Sequence, residues 1–198
     1  MSARAALRSI HFIDAPVSGS APIAAAGKLV FWVGGEVPDV DKVRPLLLQL
    51  GTRIVHVGPT GSGTSMKLVV NLLLGANMAA FAEALLLGES LGLPQSVIFD
   101  ALNGMPQVPP FLMSKREKIE NESYEAEFPL AWMQKDLHLA ALSGYETGAA
   151  LPLTNSAKEL YQLAMRHGHA HDDFSAIYAY LASNSASAAQ PQLQRKAA

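Results

Sequence analysis

The chain has 198 residues, a net charge of −2, 49% hydrophobic and 16% charged residues. That is the balance of an ordinary soluble globular protein, with enough core for one large domain or two small ones. Near-zero charge removes the electrostatic case for nucleic acid, and the absence of cysteine removes disulfide frameworks and thiolate zinc sites. Residues 1–9 carry Arg4 and Arg8 but no apolar stretch of signal-peptide length, so the expected compartment is the cytoplasm.

Residues 1–7 read as the end of an alanine-rich helix. Residues 10–17 form a short apolar run closed by Pro16 and a Ser18-Gly19-Ser20 turn, which predicts a strand and then a loop. Lys28-Leu-Val-Phe-Trp-Val33, stopped by Gly34-Gly35, predicts a second strand, and residues 53–57 a third. Between them, Val40, Val43, Leu46, Leu47 and Leu50 have helical spacing over residues 38–50, with Pro45 expected to break or kink the helix. Three strands and one helix make only part of an α/β sheet.

The chain then reaches Gly58-Pro-Thr-Gly61-Ser-Gly63-Thr-Ser-Met-Lys67-Leu-Val-Val-Asn71, where glycine-rich turn chemistry runs directly into an apolar stretch. The pattern predicts a helix of roughly 28 residues, capped by Thr64 or Ser65 and ended by Gly92 with Pro94 beyond. It is apolar on nearly every side, as in a helix buried in a core or a subunit interface, or one that spans a membrane. Asn71, Asn77, Glu83 and Glu89 interrupt it, so a central helix of a soluble protein is expected rather than a span of about 20 clean apolar residues. Lys67 and Asn71 are four apart and share one face. A lysine in the first turn opposes the positive end of the helix dipole, which favours its neutral form and suits a proton donor or acceptor. A surface lysine with its stem along the helix is the other reading of the same spacing.

From Pro94 onward only helices are expected: residues 96–102, a charged segment at Lys115-Arg-Glu-Lys118 read as a solvated face, residues 132–145, 154–167 and 174–181. Residues 183–198, rich in Ser, Ala and Gln, read as a disordered tail. His167, His169, His171 and Asp173 are spaced as alternate ligands would be on a strand, but they follow a helix, and no metal site is expected. Phe31-Trp32 reads as core or interface.

Three ordered motifs carry a resemblance over about residues 8–182. Asp14-Ala-Pro16-Val17-Ser18-Gly19, with Gly27-Lys-Leu29 and Val33-Gly34-Gly35 after it, resembles the substrate-binding signature of the β-hydroxyacid dehydrogenases. That family includes 3-hydroxyisobutyrate dehydrogenase and the glyoxylate/succinic semialdehyde reductases. Gly58-x-x-Gly61-x-Gly63-x-x-x-Lys67-x-x-x-Asn71 resembles its catalytic signature, and Lys135-Asp136-Leu137 its cofactor-proximal lysine motif. Ser20, where many members have a second glycine, together with Phe128-Pro-Leu, is similar to the glyoxylate/succinic semialdehyde branch.

The resemblance implies an α/β remnant of a Rossmann-type domain over residues 1–60, joined by the long central helix to an all-α domain over 61–182. It implies NAD or NADP as cofactor and a small aldehyde acid or hydroxy acid as substrate. Lys67 is then the general acid or base and Asn71 holds the substrate beside it. Ser18, Gly19 and Ser20 take the substrate carboxylate, Phe128 shapes the pocket, and Asp136 orients cofactor or binds substrate. Lys135, Gly61 and Gly63 face the cofactor. A homodimer is expected, built on the apolar surface of the long helix. A family member opens with a strand, a Gly-x-Gly-x-x-Gly turn and a helix that carries the pyrophosphate; no such turn occurs in these 198 residues. The chain therefore looks like the C-terminal two-thirds of such an enzyme, inactive and weak in cofactor binding by itself. The alternative is a non-enzymatic oligomerisation or scaffold module derived from that family.

Overall fold

The computed structural model describes residues 2–193, with side chains through residue 185. The chain divides into two compact units, Met1–Asn71 and Leu72–Ala198, and the division falls inside the longest helix.

The first unit opens with α1 (Ser2–Ala6). Its sheet has three strands in the order β1-β2-β3. β1 (Val17–Ser18) lies antiparallel to β2 (Leu29–Gly34), and β3 (Gly51–Gly58) lies parallel to β2. Parallel neighbours need a crossover, supplied by α3 (Val37–Leu47). The pleat then sorts the side chains. Phe31 and Val33 point to the α3 side and are buried with Val40, against Ile13, Ala15, Val17 and Leu29. Ser18, Val30 and Trp32 share the opposite face, half-buried.

Three details depart from the expected pattern. The first strand is two residues long rather than eight: Pro16 lacks an N–H and accepts only through its carbonyl, and before it the chain meets β2 in the isolated bridge between Asp14 and Gly34. A short helix α2 (Ala21–Ala25) follows Ser20, with Pro22 in its first turn, where a missing N–H costs nothing. Pro45 sits inside α3, and the helix ends two residues later instead of reaching residue 50.

α4 (Ser62–Ser90) runs for 29 residues and is long and apolar enough to cross a membrane by length and composition alone. In the second unit its residues Met78, Phe81, Ala82 and Leu85 are packed into protein. Around them lie α5 (Gln95–Leu102), α6 (Pro110–Met113), α7 (Arg116–Glu120), α8 (Leu130–Thr147), α9 (Pro152–Arg166) and α10 (Ile177–Leu193). Phe99, Ile119, Met133, Leu137, Tyr161 and Ile177 complete the core, each burial contributing about 2 kcal/mol. Gly75 sets how near α8 comes: a Cβ there would lie 2.7 Å from Met133 Sδ and 3.1 Å from both Leu137 methyls. The Tyr161 hydroxyl donates to the Gly75 carbonyl at 3.3 Å.

The segment expected to form one helix from residue 174 first makes a 3-10 turn, Phe174–Ala176, with Asp173 capping it through Ser175. The stretch from Ser183, expected as a tail, continues α10 to Leu193, as its alanines favour; residues 194–198 lie outside the described residues.

Candidate active-site residues

The start of α4 is held from far upstream. The Asp14 carboxylate accepts the N–H of Gly61 at 2.6 Å through Oδ1, and through Oδ2 the N–H of Thr64 at 2.6 Å and its hydroxyl at 3.0 Å. A carboxylate 47 to 50 residues upstream thus takes the role expected of Thr64 or Ser65. Burial pushes the Asp14 carboxyl up, but hydrogen bonds from Gly61 and Thr64 outweigh it and hold it below the ordinary value of 3.8. Gly63 is needed for close approach, since a Cβ there would press on the Trp32 carbonyl and on Asp14. Gly61, at φ +99°, supplies the turn. Both glycines therefore have a local reason to be glycine, and one N–H of the pair already serves Asp14.

The same tie fixes the chain just ahead of Ser18. The Trp32 indole N–H donates to Ser18 Oγ at 2.9 Å. Gly19 has φ +139° with Ile23 and Leu29 side chains 2.8 Å from where a Cβ would stand, so no other residue fits there without strain. Ser20 precedes α2 as its N-cap. Lys67, half-buried, and Asn71, 2% exposed, close the first unit one turn apart on α4.

Phe128, Lys135 and Asp136 belong to the second unit. Asp136 lies on the buried side of α8 and Lys135 on the exposed side, yet Lys135 Nζ curls back to 2.8 Å from Asp136 Oδ1. Phe128 packs edge-on against Phe174 (5.9 Å) and Trp132 (6.1 Å). Its backbone is held by a cluster that the sequence pattern did not reveal. Asp173, fully buried, accepts the N–H of Glu127 (3.2 Å) and that of Phe128 (3.4 Å), and on its other oxygen both the N–H and hydroxyl of Ser175. Lys115 Nζ pairs with Asp173 at 3.1 Å and Glu127 at 3.2 Å. Lys115 is thus buried rather than part of a solvated face. Phe174 N–H donates to the Phe128 carbonyl and Leu130 N–H to that of Asp172, so the entry to α8 is pinned on both sides. Of the histidines, His169 Nδ1 lies 2.8 Å from Asp172 and His167 Nδ1 lies 2.8 Å from the Leu163 carbonyl.

Residues 61–181 match the family profile described as the NAD-binding domain of NADP-dependent 3-hydroxyisobutyrate dehydrogenase, and residues 1–58 that of the NAD-binding domain of 6-phosphogluconate dehydrogenase. The chain is 36% identical over 166 residues to glyoxylate/succinic semialdehyde reductase 2, chloroplastic, of Arabidopsis thaliana, covering 84% of this chain and 46% of that protein. It is 36% identical over 178 residues to 2-(hydroxymethyl)glutarate dehydrogenase of Eubacterium barkeri, covering 89% and 59%. Among solved structures, Mycobacterium tuberculosis 3-hydroxyisobutyrate dehydrogenase with L-serine superposes with a TM-score of 0.82 at 34% identity, covering 91% of this chain and 64% of that one. The chain spans about half the length of these two curated relatives.

Proposed function

The chain belongs to the β-hydroxyacid dehydrogenase family, and from that premise we propose that it supplies the acid–base group and the acid-binding residues of an NAD(P)-dependent reductase of small aldehyde acids. The observation that carries this reading is the pair Lys67 and Asn71: one turn apart at the start of an apolar helix, the lysine half-buried and the amide 2% exposed. That spacing puts an ammonium and an amide on one face of the helix, where both can reach the same substrate oxygen.

In reduction, the Lys67 ammonium gives its proton to the carbonyl oxygen as the carbonyl carbon gains hydride; in oxidation the neutral amine takes the hydroxyl proton. The Asn71 amide hydrogen-bonds the same oxygen and holds it near Lys67. The Ser18 hydroxyl and the backbone N–H groups of Gly19 and Ser20 take the substrate carboxylate. Within the second unit, Phe128 is clamped through Asp173, and Asp136 orients Lys135 by their 2.8 Å pair. NAD or NADP supplies or accepts the hydride when bound. Of the residues here, Lys135 fits the cofactor best, as the exposed cation of that pair. The start of α4 fits its phosphates poorly, because Asp14 already holds the Gly61 and Thr64 N–H groups there.

The test is Lys67→Ala in a protein that joins this chain to a family-type dinucleotide-binding segment, assayed on glyoxylate and succinic semialdehyde. Loss of a general acid should lower kcat roughly 10²–10⁴-fold with a smaller change in KM. Retention of more than about a third of kcat would reject the acid–base role.

A further inference from the structure

We infer that Trp32 is a positioning residue that fixes the direction of the Ser18 hydroxyl and thereby makes the acid site selective for a carboxylate over its amide. The inference rests on the assignment of Ser18 to the carboxylate under the proposed function, and adds a residue and a selectivity to it.

The argument starts from the pleat. β1 and β2 pair antiparallel with Ser18 opposite Val30 and Val17 opposite Phe31. Phe31 and Val33 go to the core, so Ser18, Val30 and Trp32 share the other face. Ser18 and Trp32 are diagonal neighbours on it, within reach of a large aromatic side chain. An indole N–H can only donate. At 2.9 Å from Ser18 Oγ it must therefore use the serine as acceptor. The hydroxyl hydrogen is then left to donate elsewhere. A serine hydroxyl normally rotates to suit either a donor or an acceptor; here the indole occupies one of its two lone pairs and turns the hydroxyl hydrogen away from the tryptophan. What reaches Ser18 from solvent meets a donor. A carboxylate accepts that hydrogen in either orientation, whereas a carboxamide accepts it only with its C=O turned to Ser18, and an NH₂ turned there faces the hydroxyl hydrogen. The carbonyl oxygen of Trp32 lies against Gly63, and its N–H donates to the Pro16 carbonyl at 3.0 Å. The indole is thus carried on backbone held at both peptide groups. Residues of one strand can set a hydroxyl on its neighbour only with such a fixed base.

The experiment compares Trp32→Phe, Ser18→Ala and the double variant in the cofactor-competent protein, with succinic semialdehyde and its amide, 4-oxobutanamide. Phe keeps the ring and removes the donor. Trp32→Phe should raise KM for the acid roughly 10-fold with kcat nearly unchanged, and should narrow the acid-to-amide ratio of kcat/KM by a similar factor. In the Ser18→Ala background, Trp32→Phe should change neither. An unchanged acid-to-amide ratio in Trp32→Phe, or effects that simply add in the double variant, would overturn the inference. Should the parent protein turn over no aldehyde acid at all, the proposed function fails and a second readout decides this point alone. The chain has two tryptophans, so the Trp32 indole N–H resonance is identified by its loss in Trp32→Phe. Acetate should shift it saturably, acetamide should not, and Ser18→Ala should abolish the response; an indole signal indifferent to acetate would overturn the assignment.

Discussion

Asp14 accepts two backbone N–H groups and a hydroxyl hydrogen at the start of α4, so its ionised form belongs to the fold. Its folded pKa lies below the ordinary 3.8. The stability it contributes is therefore complete above the unfolded value and is lost as pH falls through the lowered folded one. Asp14→Ala should cost roughly 1–2 kcal/mol near neutral pH, as for loss of an N-cap. The cost should shrink as pH falls below the unfolded value and through the lowered folded one, where native Asp14 protonates as well; urea midpoints measured at neutral and acid pH check both statements. Of this device the sequence showed only a half. Gly61, Gly63, Lys67 and Asn71 are legible because glycine punctuation and i, i+4 spacing are local. The Asp14 partners, and the Trp32 bond to Ser18, depend on strand pairing that no spacing announces.

At the scale of elements, the buried cluster of Lys115 and Asp173 ties the entry of α8 to the 3-10 turn at Phe174. Lys115 joins four protein N–H and hydroxyl donors on the Asp173 carboxylate. Removing the aspartate strands a buried ammonium and several backbone N–H groups, so Asp173→Ala should cost roughly 3–5 kcal/mol. Lys115→Met should cost less, because Asp173 keeps its other donors and the methionine stem refills the apolar space. Urea denaturation of both variants gives the comparison, and equal losses would contradict it. The helices themselves were readable within two residues at most ends, since Pro94, Pro152 and the glycines mark them. The reading of Lys115-Arg-Glu-Lys118 as solvent-facing failed on Lys115. A charge pattern records the signs along a segment but not the buried partner 58 residues away.

On the scale of the molecule, the two units keep separate cores, one around Phe31, Val33 and Val40 and one around Met78, Phe99 and Tyr161. An α/β remnant, a long helix and an all-α remainder were all legible, because hydrophobic period changes from 2 to 3.6 at Gly58. The compact division lies at Asn71, as the first turns of α4 are held by Asp14 and by the close fit of Gly63. Val69, Leu73, Leu87 and Leu91 of α4 and its C-terminal extension are each more than half exposed. We propose that a second copy of the chain covers this row. Light scattering at micromolar concentration should report twice the chain mass, and Leu73→Glu with Leu87→Glu should return it to the monomer mass; a parent that scatters as a monomer would end the proposal.

The ion pair of Lys115 and Asp173 closes a span of 58 residues, and that gives it a place in time as well as in space. Contacts so distant in sequence form after the loop-closure entropy has been met by others. The local helices α7, α8 and α9 and their apolar seams can assemble first, leaving the clasp to lock last. Its loss should then be felt on the way out of the native state rather than on the way in. In stopped-flow measurements Lys115→Met should speed unfolding by the full measured loss and leave refolding within about twofold of the parent. The clasp would act as a latch that lengthens the lifetime of the fold around Phe128 and the entry of α8.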